Sequence, residues 1–373
     1  MAGDLLLFGV QPDRTPNRLL PVTRLGVDLT ACWRPRVGMV THGIALAQAM
    51  VELAGPRDLV LLSSRERVPG LSGEYEAVLS PHRHELANKL LWLPAVESDA
   101  GLDAILYPYW PPPPRRRVSA PPAAFFVHDL AFRLRPAEVP WQQRAYLGSL
   151  LPPALRAARA VFVPSRATAS DLLASYPLPG LAERVRVVPE GPTPLPAPAP
   201  LPAGLEPGFI LAVGTLEARK NYGRLVEAYR TLPDPPPLVL AGRPGWNGDR
   251  PPQGPGVRVL GHVDDATLAG LYRGAALLAF PSLYEGFGLP LLDALNCGLP
   301  ALVGDRGALP ELAGDAALAV DVESSPAIAE GLRRLLADAA LRKRLAAAGR
   351  RRAKAYSWRG AAQAVLETMA GIA

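Results

Sequence analysis

The sequence predicts an α/β protein made of two parallel-sheet domains that follow one another in the chain. First, short apolar runs alternate with helical patterns in both halves, which is typical of βαβ units. Second, the proline-rich stretch GPTPLPAPAPLPAGLEP (191–207) has no periodicity and cannot form a central strand. Third, 49% of the 373 residues are apolar, which is enough to bury two cores.

The predicted elements follow in order. In the first half the strands are RLGVDLT, RDLVLLSS, LDAILYP, AAFFVHD, AVFVPS and RVRVVPE, with a helix over THGIALAQAMVELAG. In the second half they are FILAVGT, PLVLAG, VRVLGHV, ALLAFPS and PALVG, with helices over NYGRLVEAYRTL and ATLAGLYRGA. We therefore predict a Rossmann-like domain over 1–190, a linker over 191–207 and a second Rossmann-like domain over 208–355. A last helix, over 356–373, is expected to pack on the first domain.

Charge and cysteine content exclude several classes of protein. The formal net charge is +6, but the basic residues are spread over both halves, so we expect no nucleic-acid partner. Cys32 and Cys297 have no paired spacing, which excludes a cysteine zinc site and indicates a reducing cytosol. Asp4 lies where a signal peptide carries positive charge, and no run reaches about 18 apolar residues. We therefore expect a cytoplasmic protein, whose basic cluster Arg115–Arg117 is either a solvated loop or a patch for anionic lipid or an acidic acceptor.

The segment FPSLYEGFGLPLLDALNCGLP carries the clearest ligand-binding pattern. Gly286 and Gly288 let the backbone approach a ligand, and Pro290 suits the first helical position of a helix whose free N–H groups attract phosphate. Glu285 precedes the glycines, and Asp293 lies early in the helix. Amides for a diphosphate and carboxylates for hydroxyls favour a nucleotide sugar. The alternatives are an exposed loop acid for Glu285 and a dipole-complementing acid for Asp293.

Other strand ends add candidate residues. VGTLEARKN places Gly214 at the end of a strand and Arg219 and Lys220 just before a helix, where ligands of parallel sheets bind. Two cations there would neutralise a diphosphate, although a solvated helix start is the alternative. His128 ends another strand, where a lone histidine is more often structural. Gly38 follows the first strand and permits close backbone approach. The motifs GxGxxG, GxxxxGK[ST], GxSxG and HExxH are absent from the sequence.

Together these motifs resemble a known family. VGTLEARKN, LAGRPGW, GHVDDATLAGLYRGA, FPSLYEGFGLPLLDALNCGLP and GALPE closely resemble the donor domain of retaining glycosyltransferases of family 4, the glycosyl transferases group 1. GVDLT, RPRVGM, FFVHDL, VPSRATASDLL and VVPEG agree with the family's first domain. The resemblance implies the GT-B fold and metal-independent transfer, without a cofactor, of a hexose from a nucleotide-diphosphate sugar to a glycan, lipid-linked or small-molecule acceptor. GTLEARKN and LAGRPGW look most like mannosyltransferases, which favours GDP-mannose.

The resemblance also implies roles in the second domain. Glu285 would contact the hydroxyls of the donor sugar, and amides of Phe287, Gly288 and Leu289 would hold the distal phosphate. Asp293 falls on the family's second glutamate, which binds the ribose diol. Aspartate is one methylene shorter, so this contact is expected to be longer or bridged by water.

Further roles implied by the resemblance concern charge and backbone approach. Lys220 would bind the diphosphate, and Arg219 would substitute for the arginine that many members carry at Thr215. His128 matches the family histidine near the reacting centre. At the remaining donor-binding positions the backbone would come close to the donor; these are Gly38, Gly214, Val263 and Gly286.

Two alternative functions remain at this point. One is another GT-B enzyme, an epimerase or a phosphorylase, but a phosphorylase needs a pyridoxal lysine and the remaining candidates are Lys89, Lys343 and Lys354. The other is a catalytically silent nucleotide-sugar-binding scaffold, which the departures at Thr215 and Asp293 leave open. Peripheral contact with the inner face of a membrane is also left open.

Overall fold

A computed structural model describes residues 24–31, 38–55, 58–82, 84–109, 111–114, 116–245 and 253–373. They form two α/β domains in succession, each built on a parallel sheet, which confirms the predicted fold class. Cys32, Arg115 and most of the RPRVGM motif lie outside the described residues.

The first sheet has seven strands within the described residues, all parallel, in the order β3-β2-β1-β4-β5-β6-β7. The strands are β1 Leu25–Asp28, β2 Leu59–Ser63, β3 Glu76–Leu79, β4 Ala104–Tyr107, β5 Ala123–Phe126, β6 Ala160–Val163 and β7 Val185–Val187. The central strands are buried along their whole length, which explains why they read as continuous apolar runs. The strand order changes direction beside β1, where such sheets form ligand crevices.

The second sheet has six strands in the described part of the chain, in the order β10-β9-β8-β11-β12-β13, and these are also parallel. They are β8 Ile210–Val213, β9 Leu238–Ala241, β10 Val257–Gly261, β11 Leu277–Phe280, β12 Ala301–Gly304 and β13 Leu318–Val320. The sequence patterns missed β3 and β13, which are short edge strands and only partly buried. An edge strand needs less apolar surface than a central one, so its pattern is weaker.

The helices lie on both faces of the sheets. In the first domain they are α1 Gly38–Leu53, α2 Glu85–Ala87, α3 Leu93–Asp99, α4 Ala131–Leu134, α5 Trp141–Ala157 and α6 Arg166–Ser175. Later in the chain come α7 Tyr222–Arg230, α8 Asp265–Gly274, α9 Leu289–Cys297, α10 Leu309–Ala313, α11 Ser325–Ala337, α12 Ala339–Ala353 and α13 Trp358–Ala370. Among helices of the described residues, none combines the length and apolar character needed to cross a bilayer.

The last helix, α13, returns to the first domain. Its buried side chains join the core cluster formed by α1 and the first sheet, through Ala361, Ala362, Val365, Leu366 and Met369. The indole nitrogen of Trp358 donates to the Pro192 carbonyl oxygen at 2.7 Å, and a Cβ at Gly191 would collide with Trp358. The chain therefore leaves the first domain and returns to it at the same place.

Leu366→Ala is expected to lower the free energy of unfolding of the protein by about 3 kcal/mol, because it leaves a cavity between α13 and α1. Urea denaturation followed by circular dichroism measures this change. Gln363→Ala, on the exposed face of the same helix, is the matched control and should change stability by less than about 0.5 kcal/mol. Equal effects of the two substitutions would contradict the packing of α13 described here.

Candidate donor-binding site

Two loops meet at the carboxyl ends of the neighbouring strands β8 and β11. After β8 the chain passes Gly214 and forms a 3₁₀ turn over Ala218–Lys220. The loop after β11 contains Glu285, and its Leu283 N–H donates to the Arg219 carbonyl oxygen at 2.8 Å. Because β8 and β11 are paired, these two loops are adjacent, as the strand-end positions predicted.

A buried ion cluster fills the space between these loops. The Arg219 Nη1 lies 2.9 Å from the Glu285 Oε2, and the Lys220 Nζ donates to Oε1 of the same carboxylate. The Arg219 Nε also lies 2.9 Å from an oxygen of Glu217. Gly214 has φ of 142° and lies against the Lys220 side chain, so the lysine folds back over the strand end.

Glu285 and Arg219 are held in their ionised forms, whereas burial and the neighbouring Arg219 charge lower the pKa of Lys220. Burial opposes ionisation of Glu285, but the charges of Lys220 and Arg219 more than offset burial and hold its pKa at about 2. The Glu285 charge in turn raises the pKa of Arg219 above its ordinary value in spite of burial. Each cation already has a carboxylate partner, so an incoming diphosphate would exchange with Glu285 for the same donors.

The start of α9 adds hydrogen-bond donors to this site. Gly288 is the N-cap residue with φ of 112°, and no side chain caps the helix. The helix begins at Leu289, so Pro290 occupies the second helical position, one residue later than predicted but still in the first turn. An uncapped helix start leaves N–H groups that bind anions. The Phe287 side chain, by contrast, packs in the core of the second domain, so only its backbone is placed for ligand contact.

The first domain closes against the same loop. A Cβ at Gly286 would collide with the His128 carbonyl oxygen, so only glycine permits this approach. The hydroxyls of Ser165 and Thr168 donate to the Gly286 carbonyl oxygen at 2.7 and 2.9 Å. The candidate site therefore lies between the domains, with His128 beside the Glu285 loop.

Side chains that the sequence reasoning did not single out join the two domains nearby. The carboxylate of Glu311 accepts from the N–H groups of Arg166 and Ala167, both at 3.1 Å, at the start of α6. The Tyr284 hydroxyl donates to the Asp171 carboxylate at 2.9 Å. Glu311 is the last residue of the GALPE motif, so the sequence pointed to it. Its hydrogen-bond partner Arg166 is 145 residues away in the chain and could not be identified from the motif.

His128 belongs to a second buried cluster. Its Nε2 lies 2.7 Å from the Pro108 carbonyl oxygen, and its Nδ1 lies 3.5 Å from the Glu190 Oε1. The same oxygen lies 2.9 Å from the Nδ1 of His42, a residue of α1. Burial opposes the Glu190 charge, but the two histidines hold its pKa at about 2. His42 and Glu190 were not predicted as site residues, because neither has a local pattern that brings them together.

Within the described residues, His42, His128 and Glu190 are the set whose donor atoms come close enough for a metal ion, within 4.8 Å of one another. A metal on the His42 Nδ1 would place that ring's proton on Nε2, which is buried without a hydrogen-bond partner. Metal-ligating histidines almost always donate this second N–H to an acceptor. We therefore interpret the cluster as hydrogen-bonded, and the prediction that no metal is required remains a prediction.

Asp293 faces the interdomain linker. Its Oδ1 accepts from the Thr193 N–H at 2.7 Å and its Oδ2 from the Thr193 hydroxyl at 2.8 Å. Burial raises the pKa of Asp293 to about 7, although the hydrogen bonds from Thr193 oppose this shift. A ribose diol would have to exchange with Thr193, so ribose binding by Asp293 stays a prediction.

The remaining predicted positions lie at the carboxyl edges of the sheets. Gly38 begins α1, and the space around its Cα is open. Thr215 directly follows Gly214 after β8, and Val263 comes two residues after β10 and is partly buried. The structure thus brings Arg219, Lys220, Glu285, Gly214 and Gly286 together with His128, whereas Asp293 contacts the linker.

Comparison with known proteins agrees with these observations. Residues 198–352 match the family described as Glycosyl transferases group 1. The chain is 32% identical over 250 residues to O-antigen chain mannosyltransferase B of Escherichia coli, an alignment that covers 62% of this chain and 65% of that protein. It is 32% identical over 267 residues to D-inositol 3-phosphate glycosyltransferase of Xylanimonas cellulosilytica, with 64% and 62% covered. The chain thus spans less than two thirds of the length of these relatives.

The fold has a solved counterpart. Sucrose-phosphate synthase from Thermosynechococcus elongatus superposes with a TM-score of 0.71 over 91% of this chain and 96% of the other, at 20% identity. At this identity the match supports the fold alone. The similarity to the glycosyl transferases group 1 family thus covers residues 198–352, and the two Rossmann-like domains of the chain have the GT-B fold.

Proposed function

We propose that the chain is a retaining glycosyltransferase that moves a hexose from a nucleotide-diphosphate sugar to an acceptor hydroxyl in glycan or glycolipid biosynthesis. The observation that carries the proposal is the buried cluster of Arg219, Lys220 and Glu285 at the start of α9, between two domains. It offers two cations and helix amides for a diphosphate, and a carboxylate for sugar hydroxyls. The similarity to a mannosyltransferase favours mannose, and the motifs favour GDP-mannose as the donor.

In the proposed reaction, the donor diphosphate takes over the hydrogen bonds of Arg219 and Lys220 that Glu285 accepts in the free protein. Glu285 is then available for hydroxyls of the sugar. As the bond between the anomeric carbon and the diphosphate breaks, the two cations and the first turn of α9 stabilise the charge on the leaving group. The departing phosphate accepts the proton of the acceptor hydroxyl on the same face. The proposal assigns no covalent nucleophile and no metal.

The acceptor would enter from the first domain, which closes the site opposite the Glu285 loop through Gly286. Contact between the domains excludes water, so hydrolysis of the donor is limited. The acceptor in this proposal is a glycan, a lipid-linked sugar or a small molecule. A cytoplasmic location would give the protein access to nucleotide sugars, with or without peripheral contact with the membrane.

A thermal-shift panel tests the donor. We expect GDP-mannose to stabilise the protein by about 2.7 kcal/mol at 100 times its dissociation constant. UDP-glucose, ADP-glucose and free mannose are the comparison ligands. Lys220→Ala should abolish the shift, whereas Lys343→Ala, an exposed lysine of α12, should leave it unchanged. Failure of every nucleotide sugar to stabilise the protein would contradict the proposed function.

Turnover separates the proposal from its alternatives. Incubation with the stabilising donor and a panel of acceptors should release the nucleoside diphosphate and form an α-linked product from an α-linked donor, as NMR of the anomeric proton would report. Conversion of the donor to an epimer would identify a nucleotide-sugar epimerase. Tight donor binding without transfer or slow hydrolysis would favour the silent scaffold.

A further inference from the structure

The loop that carries Glu285 receives two hydrogen bonds from the first domain at a single backbone atom. The hydroxyls of Ser165 and Thr168, in the first turn of α6, donate to the Gly286 carbonyl oxygen at 2.7 and 2.9 Å. Both side chains are at most 2% exposed, so water does not compete for these bonds. A carbonyl oxygen has two lone pairs, so the accepting capacity of the Gly286 oxygen is filled.

These two bonds determine the direction of the next N–H group. The peptide bond between Gly286 and Phe287 is trans and planar, so its C=O and N–H groups point in opposite directions. Because the oxygen faces α6 of the first domain, the Phe287 N–H points away from that helix. Neither this N–H nor that of Gly288 forms a hydrogen bond with another described residue. Two free donors therefore precede the start of α9.

The sequence of the loop does not fix this orientation by itself. Glycines at 286 and 288 flank Phe287, and a glycine backbone adopts many conformations at little cost. The carbonyl oxygen of Glu285, one residue earlier, accepts from the Ala308 N–H at 3.1 Å, which is a contact within the second domain. The next carbonyl oxygen, that of Gly286, is where the first domain determines the conformation of the loop.

The first turn of α6 is in turn held by the second domain. Its N-cap residue, Ser165, accepts from the Thr168 N–H at 3.0 Å. The Glu311 carboxylate accepts from the N–H groups of Arg166 and Ala167, both at 3.1 Å. These bonds satisfy the N–H groups with which the helix begins. They also fix the two hydroxyls relative to the loop that they contact, because Glu311 and this loop belong to the same domain.

We propose that Ser165 and Thr168 are positioning residues of the donor site, which orient the Gly286–Phe287 peptide so that its N–H is directed at the distal phosphate. The site is then complete only while the first domain is docked on the loop. Negative charge on the diphosphate grows as its bond to the sugar breaks, so this N–H stabilises the transition state more than the bound donor. That role rests on the proposed function, whereas the orientation of the peptide does not depend on it.

Selective labelling with two isotopes reads the state of this peptide without ligand or turnover. The protein is labelled with carbon-13 at the glycine carbonyl and with nitrogen-15 in phenylalanine. A triple-resonance NMR spectrum that links each amide nitrogen to the preceding carbonyl then shows only Gly–Phe peptides. The chain has two of them, Gly208–Phe209 and Gly286–Phe287. Phe209→Tyr removes the first signal and so assigns both, and Gly208 serves as the internal reference.

Three variants change the hydroxyls that contact the loop. Thr168→Val removes one donor and keeps the shape of the side chain, the double variant Ser165→Ala/Thr168→Val removes both donors, and Thr168→Ser retains a hydroxyl. A carbonyl carbon moves to lower chemical shift when it loses hydrogen bonds. We expect this shift for Gly286 in Thr168→Val and a larger one in the double variant. In Thr168→Ser it should stay near its wild-type position, and the Gly208 signal should not move in any variant.

Kinetics and binding test the consequence for the donor site. With GDP-mannose as donor, the double variant should lower kcat by about 10-fold. Its affinity for GDP, measured by calorimetry, should fall by less than about 3-fold. Ser165→Ala also removes the N-cap of α6, so the matched control is Ser324→Ala, which removes the N-cap of α11. This control should lower the thermal midpoint to a similar extent and change neither kcat nor the Gly286 signal.

The outcomes separate two failures. An unchanged Gly286 signal in the folded double variant would overturn the orientation of the loop by α6. A shifted signal with kcat as in Ser324→Ala would overturn the positioning role in transfer. The expected spectra in a protein that binds neither GDP nor GDP-mannose would support the orientation of the loop and count against the proposed function. If circular dichroism shows that the double variant does not fold, Thr168→Val and Thr168→Ser supply the same comparison.

Discussion

Glu285→Ala is expected to lower kcat/KM for sugar transfer by about 100- to 1,000-fold, because it removes the carboxylate proposed to bind the sugar. The same change should leave binding of the free nucleoside diphosphate as tight as in the wild type or tighter. In the free wild-type protein Glu285 accepts hydrogen bonds from Arg219 and Lys220. In the variant this carboxylate is absent, so the diphosphate does not have to compete with it for the two cations. Steady-state kinetics and isothermal titration calorimetry measure the two effects.

The control for this prediction is Glu217→Gln, which removes a different carboxylate from the same arginine. It should reduce kcat/KM by less than about 10-fold, because the Glu217 side chain is more exposed and, among the described residues, its carboxylate forms an ion pair with Arg219 and not with Lys220. Glu285→Ala leaves the buried Lys220 without its carboxylate partner and Arg219 with Glu217 alone, which is expected to destabilise the protein by about 3 kcal/mol or more. Near-normal transfer by Glu285→Ala with a verified donor would contradict the site assignment.

Asp293→Asn is expected to change how stability depends on pH. The folded pKa of about 7 lies above the ordinary value of an unfolded aspartate, so the folded state binds more protons in this range. Protonation of Asp293 therefore stabilises the protein fully below about pH 4, and this stabilisation is lost as the pH rises through about 7. The loss amounts to roughly 4 kcal/mol as an upper figure.

Asparagine at position 293 keeps both contacts with Thr193 without a charge. Its oxygen can accept from the Thr193 N–H, and its amide can donate to the Thr193 hydroxyl. We expect the variant to be more stable than the wild type at pH 8.5 and similar to it at pH 4.5, as measured by urea denaturation at both values. Asp315→Asn, on an exposed residue, should follow the wild-type profile. A difference between Asp293→Asn and wild type that does not vary with pH would rule out this account.

The ion cluster was predictable because it depends on local patterns and one general rule. VGTLEARKN and LYEGFGLP each place polar residues just after an apolar strand, and parallel strands bring their carboxyl ends to one edge. The rule does not state which strands are neighbours. The structure shows that β8 and β11 are neighbours, and their pairing places the two loops side by side.

The His42 cluster was not predictable, because its three members come from separate elements. His42 lies inside the helix predicted over THGIALAQAMVELAG, and Glu190 lies at the boundary with the linker. The two are 148 residues apart in the chain, and their contact requires α1, β5 and β7 to be assembled. The Thr193–Asp293 contact is of the same kind, since it joins a linker without regular structure to α9.

The sequence alone was sufficient for the α/β class, for most of the central strands and for placing Arg219, Lys220 and Glu285 at strand ends. These depend on periodicity and on turn chemistry, which act over a few residues. The tertiary structure decided what each charge faces: Glu285 meets Arg219 and Lys220, Glu190 meets two histidines, and Asp293 meets Thr193. Buried charges take their ionisation state from partners distant in the chain, and only the folded packing brings those partners within hydrogen-bond distance.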